Sequence, residues 1–207
     1  PAQGPTRRRH CTPTATVAIF QTLVVAAFSF FAFGAEPLRA DDRTDDEISA
    51  ARSFKIESVS LGMSEKDFRA LYPDAVPLDD LTDVNTGTTG LRVAQTRNTD
   101  GIDAAFWKGR LIEFYAWYGV PRTSMLGGYM TLIKRLVEKL GKGDADSRGA
   151  SEDPNSDEIV QLKWRIPDAN FYCEILVKKE MNRINVADMR AWTERDKLKA
   201  DKADVGF

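Results

Sequence analysis

The sequence predicts an α+β fold of two layers: tandem α-β-β-β units whose antiparallel sheet carries its helices on one face. Three observations lead there. Asp103 to Tyr118 reads as two strands joined by a Lys108-Gly109 turn, because glycine in a short polar break between aromatic and β-branched runs favours a hairpin. The order of elements along the chain is strand, helix, three strands, helix, three strands, helix, a pattern of an antiparallel sheet packed by helices. Its two helix starts, Ser64 and Ser124, stand about sixty residues apart, and each helix leads into a loop and a three-strand meander.

The elements follow in order. Arg7, Arg8 and Arg9 precede a mostly apolar run from Ala15 to Gly34, and Ala32 and Gly34 supply the small residues of a signal-peptidase site. Residues 1–34 are therefore expected to be an export signal, or alternatively a signal anchor, since about 20 apolar residues also span a bilayer. The acidic stretch 35–51 lacks periodicity and is read as a flexible linker. Residues 52–190 form the tandem domain, and 191–207 a charged C-terminal helix or tail.

Within that domain, Phe54 to Leu61 alternates as a first strand, broken by Gly62. Ser64 is a good N-cap, with Asp67 three residues on and Met63 and Phe68 at staple positions. Phe68, Leu71 and Tyr72 give this helix an apolar stripe, and Pro73 stops it. Asp74 to Gly90 reads as loop, Leu91 to Thr96 as a strand and Arg97 to Gly101 as a turn before the hairpin. In its second strand Ile112, Phe114, Ala116 and Tyr118 are expected on one face, with Leu111, Glu113, Tyr115 and Trp117 on the other. Both faces are apolar enough to require either a double cover or a partner.

Ser124 is expected to cap a longer helix to Leu140, with Tyr129, Ile133, Leu136 and Leu140 on one face and Gly141 as its stop. Gly141 to Asp157 is read as a mobile acidic loop. Three strands follow, marked by Val160 to Ile166, Phe171 to Val177, and Ile184 with Val186. Met189 and Trp192 open the last helix.

Composition excludes several functions. With residues 1–34 removed, three arginines and no acids leave, so 26 basic residues face 31 acidic ones, a net charge of −5. Nucleic-acid binding is disfavoured, since nothing concentrates positive charge on one face. The only histidine, His10, lies in the leader, which rules a histidine-based triad or zinc site out of the exported part. Cys173 would be the single remaining cysteine, and its alternation with Phe171, Ile175 and Val177 makes it a buried small hydrophobe. Asp144 to Asn155 imitates a calcium loop, but Arg148 occupies a ligand position and Asn155 replaces the bidentate glutamate, so no metal is expected. No cofactor is expected either.

Ser60-Leu61-Gly62-Met63-Ser64, followed by Asp67, Phe68, Leu71, Tyr72 and Pro73, resembles the opening of the SmpA/OmlA-like outer-membrane assembly factors and the β-lactamase-inhibitory-protein-like domains. Phe106 to Leu111 is similar to their aromatic-x-x-Gly-x-Leu hairpin, and the doubled α-β-β-β order is similar to the tandem inhibitory protein. Two departures stand out. This chain has no lipobox cysteine, and it cannot form the disulfides of the inhibitory protein. The resemblance implies a non-catalytic, exported fold that recognises proteins with its sheet face.

Tyr115 and Trp117, with Trp107 near the turn and Tyr172 from the second meander, are the candidate binding residues, because aromatic rings anchor interfaces at low entropic cost. The competing reading places the same rings in the core. The function expected is an exported, non-enzymatic protein-binding or envelope scaffold or inhibitor-like module, periplasmic or extracellular. Its partner would be another envelope or secreted protein, with membrane contact only through an uncleaved segment 15–34. The alternative is an extracytoplasmic hydrolase using a carboxylate pair. Against it, Asp67, Glu113 and Glu174 read as a cap and solvent-facing strand residues.

Overall fold

In the computed structural model, residues 43–145 and 158–204 are described, apart from the side chains of 144–145, 158–160 and 202–204. The expected leader, the start of the linker and most of the imitated calcium loop lie outside the described residues. The chain forms α1 (Asp45–Arg52), α2 (Glu65–Leu71), β1 (Val76–Pro77), β2 (Thr88–Val93), β3 (Gly101–Trp107) and β4 (Arg110–Gly119). Then come α3 (Val120–Met125), α4 (Tyr129–Leu140), β5 (Asp144–Ala145), β6 (Glu158–Ile166), β7 (Phe171–Lys178), β8 (Met181–Asp188) and α5 (Met189–Asp204).

The strands make one eight-stranded sheet in the order β1-β2-β3-β4-β8-β7-β6-β5, and every neighbouring pair is antiparallel. The expected α+β class, an antiparallel sheet packed by helices, is the fold of this chain. Each half is a helix pair followed by a four-strand meander. The last strands of the two halves, β4 and β8, meet at the centre of the sheet.

Several local readings need correction. Residues 43–51 are largely helix: Thr44 caps α1 in a full capping box with Glu47, and Asp45, Asp46 and Glu47 fill its first turn. Acids placed there oppose the positive end of the helix dipole, so the composition that resembled a linker is an N-terminal signal. Phe54 to Leu61 is no strand. It is a tight turn closed by a single Ile56–Val59 bridge, with Glu57 at φ 54°. Its apolar residues still reach the core, where Phe54 meets Phe171 edge to face at 5.4 Å. The predicted helix from Ser124 to Leu140 is two helices, because Gly127 and Gly128 take φ of 90° and 85° and break the path. Leu132, Ile133, Leu136 and Leu140 form the buried stripe of α4.

Other signals act as read. Ser64 caps α2 by accepting from the Asp67 amide, though the Asp67 carboxylate takes the Ser64 hydroxyl proton instead of its backbone N–H. Lys108 and Gly109 turn the hairpin with φ of 51° and 73°, the left-handed pair that a type I′ turn requires. Gly141 ends α4, and its carbonyl accepts from Trp164 Nε1 at 2.9 Å.

A bulge decides which side of β4 faces the helices. Phe106 pairs with Leu111 and Ala105 with Glu113, so Ile112 is the extra residue. Leu111 therefore shares the helix-facing side with Phe114, Ala116 and Tyr118, and Ile112 moves to the other side with Glu113. This reverses the predicted placement of both. On the helix-facing side, Phe68 of α2 packs against Phe106 at 5.3 Å. Leu91, Ile102, Ala104, Trp164, Cys173, Ile175 and Val186 lie on that same side, and all are fully buried.

The last helix departs from a simple two-layer scheme. Ala191 packs on a cluster of Ala105, Trp107 and Ile112, Trp192 stacks on Tyr172 at 6.5 Å, and Arg195 pairs with Glu113 at 3.9 Å. These residues face away from α1–α4, so α5 lies on the opposite side of the sheet. The expected charged tail is a docked helix whose Ala191, Arg195 and Lys199 follow one another at the i, i+4 spacing of a single stripe. Among the described residues no helix is long and apolar enough to cross a membrane.

Phe68 is fully buried whereas Leu71, placed on the same predicted stripe, is 46% exposed. Phe68→Ala is expected to destabilise the fold by about 3–5 kcal/mol, and Leu71→Ala by less than about 0.5 kcal/mol. Chemical denaturation of both variants measures this; equal losses would contradict the packing of α2.

Candidate functional site

The side of the sheet away from α1–α4 is polar, although it is built from the middle of strands. Alternation puts Arg92 of β2, Asp103 of β3 and Glu113, Tyr115 and Trp117 of β4 on this side. Arg183 and Asn185 of β8, Tyr172 and Glu174 of β7, and Gln161 and Lys163 of β6 join them. The acids here are deeply placed: Asp103, Glu113 and Glu174 are 4%, 3% and 7% exposed. The two glutamates were expected to face solvent. They are buried because long neighbouring side chains lean over them.

Each carboxylate is compensated. Arg92 donates from Nε and Nη2 to Asp103 Oδ1 and Oδ2 at 2.6 and 2.9 Å, and Trp117 Nε1 donates to Asp103 Oδ2 at 2.9 Å. The Tyr115 hydroxyl donates to Glu113 Oε1 at 2.6 Å, Asn185 Nδ2 donates to the same oxygen at 3.4 Å, and Arg195 lies 3.9 Å away on the other oxygen. Glu174 accepts from Gln161 Nε2 and has Lys163 and Arg183 at 3.9 and 3.8 Å. Burying an unpaired carboxylate costs several kcal/mol, so these partners are a condition of the sheet's existence.

The predicted residues divide. Tyr115 and Trp117 are half-buried and stack on each other, with centroids 6.5 Å apart and planes 28° apart. The Arg183 guanidinium lies over both rings at 5.2 and 5.7 Å, within the range of cation–π attraction. Tyr172 is on the same side but engages Trp192 of α5, so it belongs to the helix-covered part. Trp107 is not a surface residue. It is 5% exposed, donates from Nε1 to the Thr86 carbonyl at 3.0 Å and packs beneath Leu81 and Ala191. The core reading is therefore correct for Trp107, because the loop after β1 and helix α5 close over it.

Sequence reasoning missed Arg183, Arg92 and Trp192. Arg183 carries a faint signal, since it and Asn185 alternate with buried Ile184 and Val186. Its meeting with Trp117 depends on the pairing of β8 with β4. Among the described residues no group of three or more His, Cys, Asp or Glu side chains is placed to hold a metal. The Cys173 thiol is pushed up by complete burial, with the Glu174 charge adding to it, which leaves it protonated and packed like a small hydrophobe.

What this arrangement offers chemically is a rigid strip of two rings and a guanidinium, underpinned by buried carboxylates. Neither protein-family models, nor curated proteins, nor solved structures give a match to this chain.

Four phenols are held neutral. Burial is the main cause for Tyr72, Tyr115, Tyr118 and Tyr172, and nearby glutamates add to it; Tyr72 is pushed up to about 12 and the others further. The unfolded chain ionises its tyrosines near pH 10. The stability these groups contribute is therefore full below pH 10 and is lost as pH rises through their higher folded values. In an alkaline titration, phenolate absorbance is expected to appear together with loss of circular dichroism. Ionisation of most tyrosines near pH 10 in a still-folded chain would contradict these burials.

Proposed function

We propose that this chain is an exported, non-enzymatic protein-binding module of the cell envelope, a scaffold or inhibitor-like domain. It recognises a partner protein through the strip formed by Tyr115 and Trp117. The observation that carries this reading is the placement of two stacked, half-buried rings under Arg183 on the side of the sheet that α1–α4 leave uncovered. The contacts of α5 fall on Ala105, Trp107, Ile112, Glu113 and Tyr172.

Rings held at fixed angles lose little entropy when a partner covers them, and such residues dominate interface energies. The resemblance to the assembly-factor and inhibitory-protein folds implies the same use of a sheet face, and the apolar leader implies export. A carboxylate-pair hydrolase has weaker support. Asp103, Glu113 and Glu174 are each held by an arginine, lysine or amide group, and none is left as an unengaged acid–base pair.

Capture from envelope extract tests the proposal. The Tyr115→Ala/Trp117→Ala double variant is expected to lose at least about 2 kcal/mol of binding, a roughly thirtyfold weaker Kd that appears as a loss of partner recovery. A Val84→Ala control, changed at an 87% exposed position, should recover the partner as the parent does. Equal recovery by the double variant and the parent would dispose of the aromatic strip as the binding surface.

A further inference from the structure

The helices hold the sheet in two different ways. Each of α1–α4 buries at least one side chain, among them Ala51, Phe68, Thr123 and Leu136, whereas none of the described side chains of α5, residues 189–201, is buried. The first turn of α5 is fastened by hydrogen bonds. Met189 N–H donates to the Asn170 carbonyl at 2.8 Å, and Ala191 N–H donates to Asp188 Oδ1 at 2.9 Å.

The rest of α5 is held more loosely. Ala191 packs on the small cluster, Trp192 stacks on Tyr172, and two ion pairs join Arg195 to Glu113 at 3.9 Å and Lys199 to Asp83 at 3.7 Å. Both distances exceed hydrogen-bonding length, and Lys199 is 70% exposed, so its pair contributes little. Docking also buries Trp192 Nε1 without a hydrogen-bond partner, a cost that release into water removes.

The surface under α5 does not need it to stay folded. Without Arg195, Glu113 keeps the Tyr115 hydroxyl at 2.6 Å and Asn185 Nδ2 at 3.4 Å. Trp107 keeps its bond to the Thr86 carbonyl and its contact with Leu81, and β3, β4 and β8 keep their register. A helix whose departure strands no buried charge can open while the sheet remains intact.

That helix borders the two rings. Arg195 and Tyr115 engage the two oxygens of one carboxylate, Glu113. A stable protein interface covers about 800 Å² on each partner, whereas one aromatic side chain supplies about 150–250 Å² at most, and Tyr115 and Trp117 are already half-buried. A patch of that size around the rings overlaps α5. With α5 lifted, Trp107, Ile112 and Tyr172 extend the aromatic and apolar surface on either side of Glu113.

We infer that α5 is an autoinhibitory strap: it opens from the sheet about its first turn, and the partner protein that takes Tyr115 and Trp117 competes with it for the adjoining surface. This rests on the reading of the strip as a protein-binding surface and adds how access to that surface is controlled.

Hydrogen exchange on the full chain, read by mass spectrometry, tests the opening without any partner. Amides of residues 193–199 are expected to exchange about a hundredfold faster than those of β4 and β8, through an opening that leaves the strands protected. Trp192→Ala and Arg195→Gln, which loosen different contacts of the same helix, should each speed α5 exchange by about a further tenfold. Unchanged protection of β4 and β8 confirms that both variants are folded. The dye 8-anilinonaphthalene-1-sulfonate, a probe of exposed apolar surface, should bind both variants more strongly than the parent. In capture from envelope extract both variants should recover more partner than the parent, and adding Tyr115→Ala/Trp117→Ala should abolish the gain.

Exchange of α5 as slow as that of β4 and β8, or only together with them, would overturn the strap and leave the aromatic strip standing. Variants that open α5 yet recover no more partner than the parent would also defeat it, since the partner would then bind with α5 in place. Absence of capture by the parent and by both opened variants would overturn the strap and the binding strip together.

Discussion

The pairing of β4 with β8, from Glu113 with Ala187 to Gly119 with Met181, is the constraint on which the rest depends. It turns two meanders into one sheet, and among the described residues it is the only place where the two halves of the sheet are joined strand to strand. It also brings Trp117 beside Arg183 and Tyr115 beside Asn185, residues that are distant in sequence. Antiparallel strands place directly opposed side chains about 5 Å apart, so this one register assembles the strip of rings and guanidinium.

Two further constraints shape what the register builds. The bulge at Ile112 changes the parity of β4, sending Leu111 into the helix-facing core and Ile112 into the smaller cluster under α5. A strand without that extra residue would turn one of these apolar side chains to the wrong side. The second is electrostatic. Three carboxylates lie almost fully buried on a sheet face that α5 covers only in part, and each has a partner on a neighbouring strand: Arg92 for Asp103, Asn185 for Glu113, and Gln161 and Arg183 for Glu174. Such networks specify position as much as they stabilise, because a misregistered strand would strand a buried charge.

The result is a division of labour between the two sides of the sheet. One side is sealed by α1–α4 and carries the large core residues, among them Phe68, Phe106, Phe114 and Trp164. The other is half covered by α5, which contributes Trp192 and Arg195, and half left to solvent. Edge strand β1 is two residues long, which limits the unpaired backbone offered at that margin of the sheet. The features suited to recognition are thereby concentrated on the middle strands and away from the edges.

Much of the architecture was legible locally. Alternation in β6, β7 and β8, the Lys108-Gly109 turn, the Ser64 cap and the Gly141 stop each depend on residues within a few positions of one another, and the sequence by itself determined them. It also determined that Cys173 and Ile175 face inward, since period-two patterning needs no knowledge of the partner strand. The acidic turn of α1 and the Gly127-Gly128 break were local too, but their signals overlap with those of linkers and flexible helix starts. Tertiary structure alone decided the remainder. Which of Leu111 and Ile112 turns inward follows from a bulge against β3. Trp107 sinks because α5 and a distant loop cover it, and Arg183 becomes part of the site because β8 lies beside β4. Each of those outcomes is a contact between segments far apart in the chain, and the free energy of such a contact belongs to the assembled sheet, not to any short stretch of residues.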